Sequence, residues 1–495
     1  MGGDDTQDAR RYRFGPLHRP GLVAGFRGGQ LVAVALPLLI GVAVLRAAPD
    51  AAGVAVAVAF LAAGVAAASW PVAGRTAEEW APDALRFAAG RLRRLRRDGA
   101  VFRWLDLVAV EVVGSSPVGV VVDHRRQVSS AVLSVGAPGF LLASVAERDR
   151  RVAAWASVLA SLARDGGALH RIQWLERAVP DDGSGHLADL RARARVPDDD
   201  PARRSYHRVV LQAAAGAVGH GVLLVVAVRH RRAQVRGRST PGAAADLLLR
   251  EVALLRRRLV DAGIDCSAPL APDELAAVVA SAAAPSRVVA VDAAASAGAT
   301  GAVGRPAQQP APDGRGQPPK RPVSPWPWPM ASQAEWGHLR TDGTWHVTYW
   351  VAQWPRSDVP ADFLASLLLV GGVRRTVSVV MAPVAPGEAA RRVEQDRTAE
   401  AADSELRRRG GFLATARRRR QAEHLAGREA ELADGHAIFR LSAYVAVTAD
   451  TAEELPAACE QVEQAAAQAG LELRRCYGDQ LGAFVATLPI GSGLP

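Results

Sequence analysis

Residues 31–72 read LVAVALPLLIGVAVL-RAAPD-AAGVAVAVAFLAAGVAAASWPV, two apolar runs (Leu31–Leu45 and Ala51–Val72) that are separated by a short turn. A helix needs about 20 apolar residues to cross the hydrocarbon core of a bilayer. The second run supplies this length, and the first reaches it with Gly28–Gln30 and Ala47–Ala48. The sequence therefore predicts a transmembrane helical hairpin over residues 28–73.

Basic residues flank both outer ends of this hairpin, whereas the turn carries only Arg46. By the positive-inside rule, both ends are expected to be cytoplasmic. The predicted location is thus the cell membrane, with two spans and both termini in the cytoplasm, and the basic segment 74–100 is expected to contact lipid headgroups. A cleaved signal peptide is the competing interpretation, but the apolar stretch starts late, is doubled and lacks a clear cleavage site. The flanking basic residues are Arg27, Arg75, Arg91, Arg93, Arg94, Arg96 and Arg97.

Composition argues against several kinds of enzyme. The chain has 495 residues, a net charge of +10 and three cysteines that are far apart, so neither a disulfide framework nor a zinc site is indicated. Its single lysine, Lys320, lies between prolines and arginine without the glycines and hydroxyl of a P-loop. No HExxH motif or Gly-x-Ser-x-Gly elbow occurs. We therefore predict no catalytic residues, no cofactor, no metal and no enzymatic activity.

Beyond residue 100, the composition divides the chain at a linker. Residues 294–329 are rich in Ala, Gly, Gln and Pro and end in Pro-Trp-Pro-Trp-Pro, which offers little to bury. The predicted organisation is an N-terminal segment (1–27), the hairpin (28–73), a basic helix (74–100), a first module (101–293), the linker (294–329) and a second module (330–495) with a charged helical insertion (387–434). The predicted fold class is membrane-anchored α+β, with two mixed sheet-and-helix modules behind the hairpin.

The modules follow from alternating and helical spacing of apolar residues. In the first, Val118–Val122 and Val128–Leu133 predict a strand hairpin, Ala143–Ala163 a helix and Leu169–Val179 a strand. Val209–Val228 is apolar enough to suggest a third span, but its glycines favour a short helix followed by a buried strand. The second module predicts strands at Thr344–Trp354, Arg375–Met381 and Ala437–Thr448, helices at Asp362–Val370 and Thr451–Gln468, and a strand pair over Leu471–Leu488.

Scattered motifs carry a resemblance to conjugation and type IV secretion proteins. The N-terminal hundred residues resemble PrgI-like hairpin subunits, and the rest resembles the non-catalytic N-terminal domain of the partner conjugation ATPase. The resembling segments are Tyr12–Pro16, Gly25, Gly74–Trp80, His170–Arg177, Arg428–His436, Val445–Leu455, Gln480–Phe484 and Leu488–Gly491. In that family the ATPase domain would begin after the last segment.

This resemblance implies a structural membrane component that docks a separate cytoplasmic ATPase, in many copies and beside other secretion-complex subunits. The expected partner interface is Leu488, Pro489, Ile490 and Gly491, and the charged stretch Gly387–Asp434 is the next candidate. A membrane component of type VII secretion is an alternative function. Another is a membrane-tethered DNA-binding protein, which rests on charge alone. In that case Arg417–Arg420 would bind phosphates, but a solvated helix face paired with nearby glutamates is the favoured account of these residues.

Overall fold

The structure is a computed structural model, and the following ranges are those it describes. They are residues 11–12, 14, 28–69, 80, 83–85, 87–89, 104–112, 115–136, 139–163, 167–180, 184–193, 195–197, 199–214, 218–230, 241–285, 329, 331–409 and 426–494. The predicted basic residues Arg27, Arg75 and Arg91–Arg97, the predicted linker 294–329 and the run Arg417–Arg420 all lie outside these ranges.

In the described part of the chain, twelve strands form a single sheet. The order is β1-β2-β3-β5-β4-β10-β11-β9-β8-β7, with β6 also paired to β3 and β12 to β9. Every pair is antiparallel. The strands are β1 (Leu105–Val112), β2 (Ser115–Asp123), β3 (Val128–Gly136), β4 (Leu169–Pro180), β5 (Val218–Arg229), β6 (Asp265–Pro269), β7 (Ser332–Ala334), β8 (Leu339–Thr341), β9 (Thr344–Gln353), β10 (Arg374–Pro383), β11 (Phe439–Ala449) and β12 (Glu472–Arg475).

The helices in the described ranges complete the element order. They are α1 (Gly28–Ala47), α2 (Ala51–Ser69), α3 (Val145–Leu162), α4 (Ser184–Arg193), α5 (Pro201–Ala214), α6 (Pro241–Asp261), α7 (Pro272–Ala283), α8 (Ala365–Leu368), α9 (Pro386–Arg409), α10 (Glu454–Gln468) and α11 (Gln480–Val485). Residues 426–433, which we name the return helix, are also helical, and Glu429 within it forms an ion pair with Arg397 on α9.

The sheet contains the same topology twice. The first half (residues 104–285) runs β3-α3-β4, an insertion, then β5-α6-β6, and its strands lie side by side as β6-β3-β5-β4. The second half (residues 331–494) runs β9-α8-β10, an insertion, then β11-α10-β12, and its strands lie as β12-β9-β11-β10. Both follow the ferredoxin-like split βαβ order. In each half the insertion lies between the second and third strands: α4 and α5 in the first half, and α9 with its return helix in the second.

The two halves join edge to edge through their second strands. β4 pairs with β10 over seven positions, from Arg375 opposite Ala178 to Met381 opposite Ile172. Because main-chain hydrogen bonds cross this junction, the sheet continues without a break from one half to the other. The predicted fold class of two mixed modules is therefore wrong: the alternating strands were recognised, but their pairing makes one antiparallel sheet.

Helices cover both faces of the sheet. On one face, α3 and α6 pack on the first half, and α8 and α10 pack on the second. The other face carries α7, α11 and the last residues of the chain. The core on this second face draws on both halves, since it unites Leu175 and Val225 with Leu339, Ala446 and Phe484.

The N-terminal helices α1 and α2 form the predicted hairpin but not a membrane anchor. Asp50 Oδ1 accepts a hydrogen bond from the Gly53 N–H (2.8 Å) at the start of α2, and many described side chains of the hairpin are apolar and exposed. Among the described residues, however, no helix is long and apolar enough to cross a membrane.

This finding corrects two related predictions. The two-span anchor is wrong, and with it the assignment to the cell membrane with both termini cytoplasmic. The alternative third span over Val209–Val228 divides into the end of α5 and the buried strand β5, as its glycines predicted.

Most local predictions of strands and helices are confirmed, with one exception near the C-terminus. The predicted strand pair over Leu471–Leu488 is β12 followed by the short helix α11. The Gln480 side chain explains the change, because it occupies hydrogen bonds on β9 that a neighbouring strand would use. Its Oε1 accepts from the Thr348 N–H (2.8 Å), while its Nε2 donates to the Cys476 carbonyl (2.9 Å).

Described residues on both sides of the hairpin dock on the second half. Tyr12 and Val359 exchange backbone hydrogen bonds (2.8 and 3.0 Å), and the Phe14 ring stacks on Trp354 with centroids 5.0 Å apart. After the hairpin, Trp80 stacks on Trp336 at 5.7 Å. Both ends of the hairpin thus lead back to the same half of the sheet.

Candidate functional site

The last residues of the chain, which we name the closing segment (Gln480–Leu494), lie across the junction between the halves. Leu488 and Ile490 are 0% and 5% exposed and belong to the core shared by both halves. Apolar residues at these positions pack down onto β4, β5 and β11, and the intervening backbone follows the sheet surface. The closing segment therefore ties together strands that the linker separates in sequence.

A buried glutamine at the junction holds the closing segment in place. Gln173 on β4 is 0% exposed, and its Nε2 lies 2.9 Å from Ser378 Oγ on β10. The same nitrogen lies 2.9 Å from the Ala486 carbonyl oxygen and 3.0 Å from that of Leu488. Gln173 Oε1 accepts from the Gly491 N–H at 2.8 Å. One side chain thus satisfies backbone groups of the closing segment that are costly to bury unpaired.

Two glycines let the closing segment approach the sheet. Gly491 has φ +69°, and a Cβ there would lie 3.1 Å from the Ala227 Cβ. Gly493 has φ +122°, and a Cβ there would lie 3.0 Å from the Ala486 Cβ. Both positions therefore require glycine for backbone conformation and for space.

Arginines surround the end of the closing segment. Arg171 on β4 is buried and donates to the carbonyl oxygens of Gly491 (3.4 Å) and Leu494 (2.8 Å). Arg126, in the turn between β2 and β3, donates to Ser492 Oγ. Burial, followed by the positive charges of Arg126, Arg229 and Arg440, lowers the pKa of Arg171 to about 10. This end of the sheet is therefore strongly electropositive.

A second polar cluster, in which Glu176 and Arg375 are buried and His220 is exposed, lies at the junction on the opposite face. His220 Nδ1 lies 2.6 Å from Glu176 Oε1, and Arg375 NH2 lies 3.9 Å from the same oxygen. Arg375 also donates to the carbonyl oxygens of Leu368 and Val370 at the end of α8. Burial raises the pKa of Glu176, while His220 and Arg375 oppose that shift. The cluster links β4, β5 and β10 through contacts within the chain. We therefore interpret its role as structural.

One open cavity lies beside α10 in the second half. It is lined by Tyr349, Leu455, Pro456, Cys459, Glu460, Glu463 and Arg475 and has a volume of about 210 Å³. Tyr349 donates to Glu463 Oε1 at 2.6 Å, and burial raises the pKa of the Cys459 thiol. Pockets that bury a small molecule usually measure about 300–1,000 Å³. The cavity is therefore too small to indicate an active site.

Metal ligation is also not indicated by the described residues, in which no group of three or more His, Cys, Asp or Glu side chains could hold an ion. The absence of catalytic, cofactor and metal sites from the whole protein stays a prediction.

The structure brings the predicted interface residues together but covers them. Leu488, Pro489, Ile490 and Gly491 are all buried against the chain's own sheet. A partner would meet the surface around them rather than their side chains, and their role as an interface stays a prediction.

Arg171 and Gln173 lie within the resembling segment His170–Arg177, but neither residue was assigned a role of its own from the sequence, and Ser378 was not singled out. The available signal was their polarity at inward-facing positions of otherwise apolar strands. A comparison of the chain with known protein families finds no matching family, and a comparison with curated proteins finds no match.

Proposed function

We propose that this protein is a non-catalytic docking subunit that recruits a separate ATPase in a conjugation-like apparatus. The supporting observation is the convergence of the resembling segments in space. His170–Arg177 forms most of β4, Gln480–Phe484 forms α11 and Leu488–Gly491 follows directly. The first segment is far from the other two in sequence, since Gln173 and Leu488 are 315 positions apart, yet Gln173 bonds directly to the Leu488 carbonyl and the Gly491 N–H. Resembling segments that meet at one place in the fold support a common origin with that family better than segments scattered over the structure would.

We assign the docking surface to the helical arm, by which we mean α9 (Pro386–Arg409) and the return helix (residues 426–433). Beyond its first turns, where Ala389 and Val393 are buried, the described part of α9 is polar on all sides. A 24-residue helix is about 36 Å long. A helix that is polar all round adds little to a core and suits a bridge to another body. It also remains exposed, whereas Leu488–Gly491 is covered.

The geometry of the arm allows it to be removed cleanly. Its roots adjoin each other, because Pro383 pairs with Phe439 and the Val384 N–H donates to the Ile438 carbonyl (2.9 Å). Farther out, Arg397 forms an ion pair with Glu429. Replacing residues 398–428 by a short Gly-Ser turn between Arg397 and Glu429 should therefore leave β10, β11 and the buried start of α9 intact.

The test is affinity purification of the intact protein and of this arm excision from host cells. We expect a P-loop ATPase, identified by mass spectrometry, to copurify with the intact protein and to be lost from the excision variant. The matched control removes the corresponding insertion of the first half (residues 184–214), whose flanks Pro180 and Val218 are paired. That control should retain the ATPase.

Photo-crosslinking adds a direct contact measurement. Because the chain has one lysine, amine-reactive reagents sample it poorly, so a photoreactive residue should replace the exposed Gln395 or Ala402. Cross-links to the ATPase from either position support docking by the arm. Full ATPase recovery after arm excision would refute the arm as the docking surface. No ATPase with the intact protein would refute the proposed function, and recovery of type VII membrane subunits would favour that alternative.

A further inference from the structure

Four arginines lie on one face of the sheet at one of its ends. On β5, Ala227 faces Gly491, so Arg229 two residues later lies on the same face. On β11, the Tyr444 hydroxyl donates to the Gly493 carbonyl (2.9 Å), which places Arg440 on that face by strand alternation. Arg126 and Arg171 reach the closing segment directly. We name Arg126, Arg171, Arg229 and Arg440 the arginine cluster.

The strand register brings these residues to the same edge of the closing segment. Arg171 is opposite Ala227 on β5, and Arg229 is opposite Val128, which directly follows the turn that carries Arg126. Across the junction, Ile172 is opposite Met381, and the next residue of β10, Ala382, is opposite Arg440. Strands from both halves therefore contribute to the cluster.

The cluster combines one buried arginine with three exposed ones. Arg171 is 4% exposed, whereas Arg126, Arg229 and Arg440 are open to solvent. Within the described residues, none of these three exposed arginines forms an ion pair with a carboxylate. The nearby Asp123 is buried and accepts from the Arg126 backbone N–H at 2.8 Å. The positive charges of these three exposed arginines are thus left available at the surface.

We propose that the arginine cluster binds a phosphate group. This site is independent of the docking function proposed above. Guanidinium groups present planar forks of donors that match phosphate oxygens, and arginine is the usual residue for such recognition. A phosphate can accept from several guanidinium groups at once and carries more negative charge than one carboxylate, which suits several exposed arginines converging from different strands. One member of the cluster, Arg171, is already buried away from water, and hydrogen bonds to the backbone of the closing segment hold it in place.

The experiment measures binding of defined probes to the full chain at constant ionic strength. Inorganic phosphate and pyrophosphate represent free phosphate compounds, and a short single-stranded oligonucleotide represents a nucleic-acid backbone. We expect saturable binding of at least one probe by calorimetry. Tighter binding of the oligonucleotide, with an affinity that falls as salt rises, would assign the backbone of a nucleic acid as the source. Tighter binding of pyrophosphate would assign a free phosphate compound.

Two substitutions test the site itself. Arg229→Gln and Arg440→Gln should each weaken binding of the responding probe by about tenfold or more, since each removes a charge-assisted hydrogen bond to the phosphate. Neither side chain holds the closing segment through a hydrogen bond found in the structure, so both variants should keep the melting temperature. The matched control is Arg356→Gln, an exposed arginine that bonds to Gln353 elsewhere on the second half.

Several outcomes would overturn the proposal. Equal loss of binding in the Arg356→Gln control would show a non-specific charge effect. A glutamate-rich peptide that binds as tightly as the best phosphate probe would assign the cluster to an acidic protein segment. Binding that appears only after removal of Pro495 would mean that a part of this chain, and not a separate phosphate, normally occupies the cluster. Absence of saturable binding for all phosphate probes would refute the site.

Discussion

Gln173 shows how a single polar residue can determine the arrangement of this molecule. Its amide bonds to β10 and to three positions of the closing segment. An apolar residue of similar size would fill the same space but leave the Gly491 N–H without this acceptor. The residue thus favours this pairing of strand edges, because a different pairing would leave its buried amide without these partners.

Glycine at positions 491 and 493 is expected to be essential for stability. Gly491→Ala and Gly493→Ala should each lower the free energy of unfolding by about 1–3 kcal/mol, because each adds a Cβ at positive φ into a close contact. Chemical denaturation monitored by circular dichroism measures this loss. Gly371→Ala is the control, since a Cβ there meets no atom within 4 Å, and an equal loss in that variant would contradict the explanation.

His346 makes stability depend on pH. The residue is fully buried, and burial lowers its pKa from 6.5 to about 3. Thr341 donates to the Ala283 carbonyl and therefore accepts from His346 Nε2–H, while Nδ1 accepts from Thr448 (2.9 Å). Its ring is thus held in the neutral form, and protonation requires exposure.

Because the folded pKa lies below the unfolded one, the stabilising contribution of His346 is complete above pH 6.5 and is lost as the pH falls toward 3. Between pH 6.5 and 5 the free energy of unfolding should fall by up to about 2 kcal/mol. Denaturation midpoints at several pH values measure this slope. His346→Gln should flatten it, whereas replacement of the exposed His436 should not. An unchanged slope in His346→Gln would refute the assignment.

At the scale of elements, aromatic contacts fasten the N-terminal segment to the second half. Phe14→Ala removes the ring that stacks on Trp354 and lies 5.2 Å from Phe363. We expect amide hydrogen exchange at Tyr12 and Val359 to accelerate by roughly tenfold or more, since an aromatic pair contributes about 0.5–1.5 kcal/mol beyond the area it buries.

Exchange in β4, which Phe14 does not contact, should remain unchanged and serves as the internal control. Acceleration throughout the sheet would instead mean that the Phe14 contact supports the whole fold. No acceleration at Tyr12 would mean that the backbone bonds alone hold the segment.

Individual elements were predictable where their apolar periodicity was long. The alternation in Thr344–Trp354 predicted β9, and the helical spacing in Ala143–Ala163 predicted α3. The six residues of α11 were misassigned because so short a helix shows no clear period. The apolar side chains of Leu488 and Ile490 indicated burial, but the family resemblance led to the prediction of a partner interface at these residues.

At the scale of the whole molecule, the pairing of the halves was not predictable from local patterns. In β4 and β10, buried side chains alternate between the two faces as in any strand. Nothing in the sequence of either strand indicates that it pairs with the other, which lies some 200 residues away. Only the matching buried polar residues Gln173 and Ser378 mark the junction. Recognition of one continuous sheet therefore required the tertiary structure.

The shared sheet predicts that a cut chain stays together. A protease site inserted within residues 294–329 and cleaved after folding should give two fragments that coelute in gel filtration and unfold in one transition. The β4–β10 pairing and the closing segment both cross between the fragments. Cleavage of a Gly491→Ala, Gly493→Ala double variant should loosen the pair. Separation of the fragments of the unaltered sequence would contradict the continuous sheet.

The position of the closing segment also bears on how the protein is made. A ribosome adds about 5–20 residues per second, so β4 emerges well before the residues that cover its inner face. Until the closing segment is made, it does not cover Leu175, Gln173 and the neighbouring strands. The nascent chain therefore exposes an apolar surface to which other molecules can bind. The apolar face of the first half is therefore covered only after the closing segment has been made, and a chaperone bound to β4 or β5 would be released only at that point.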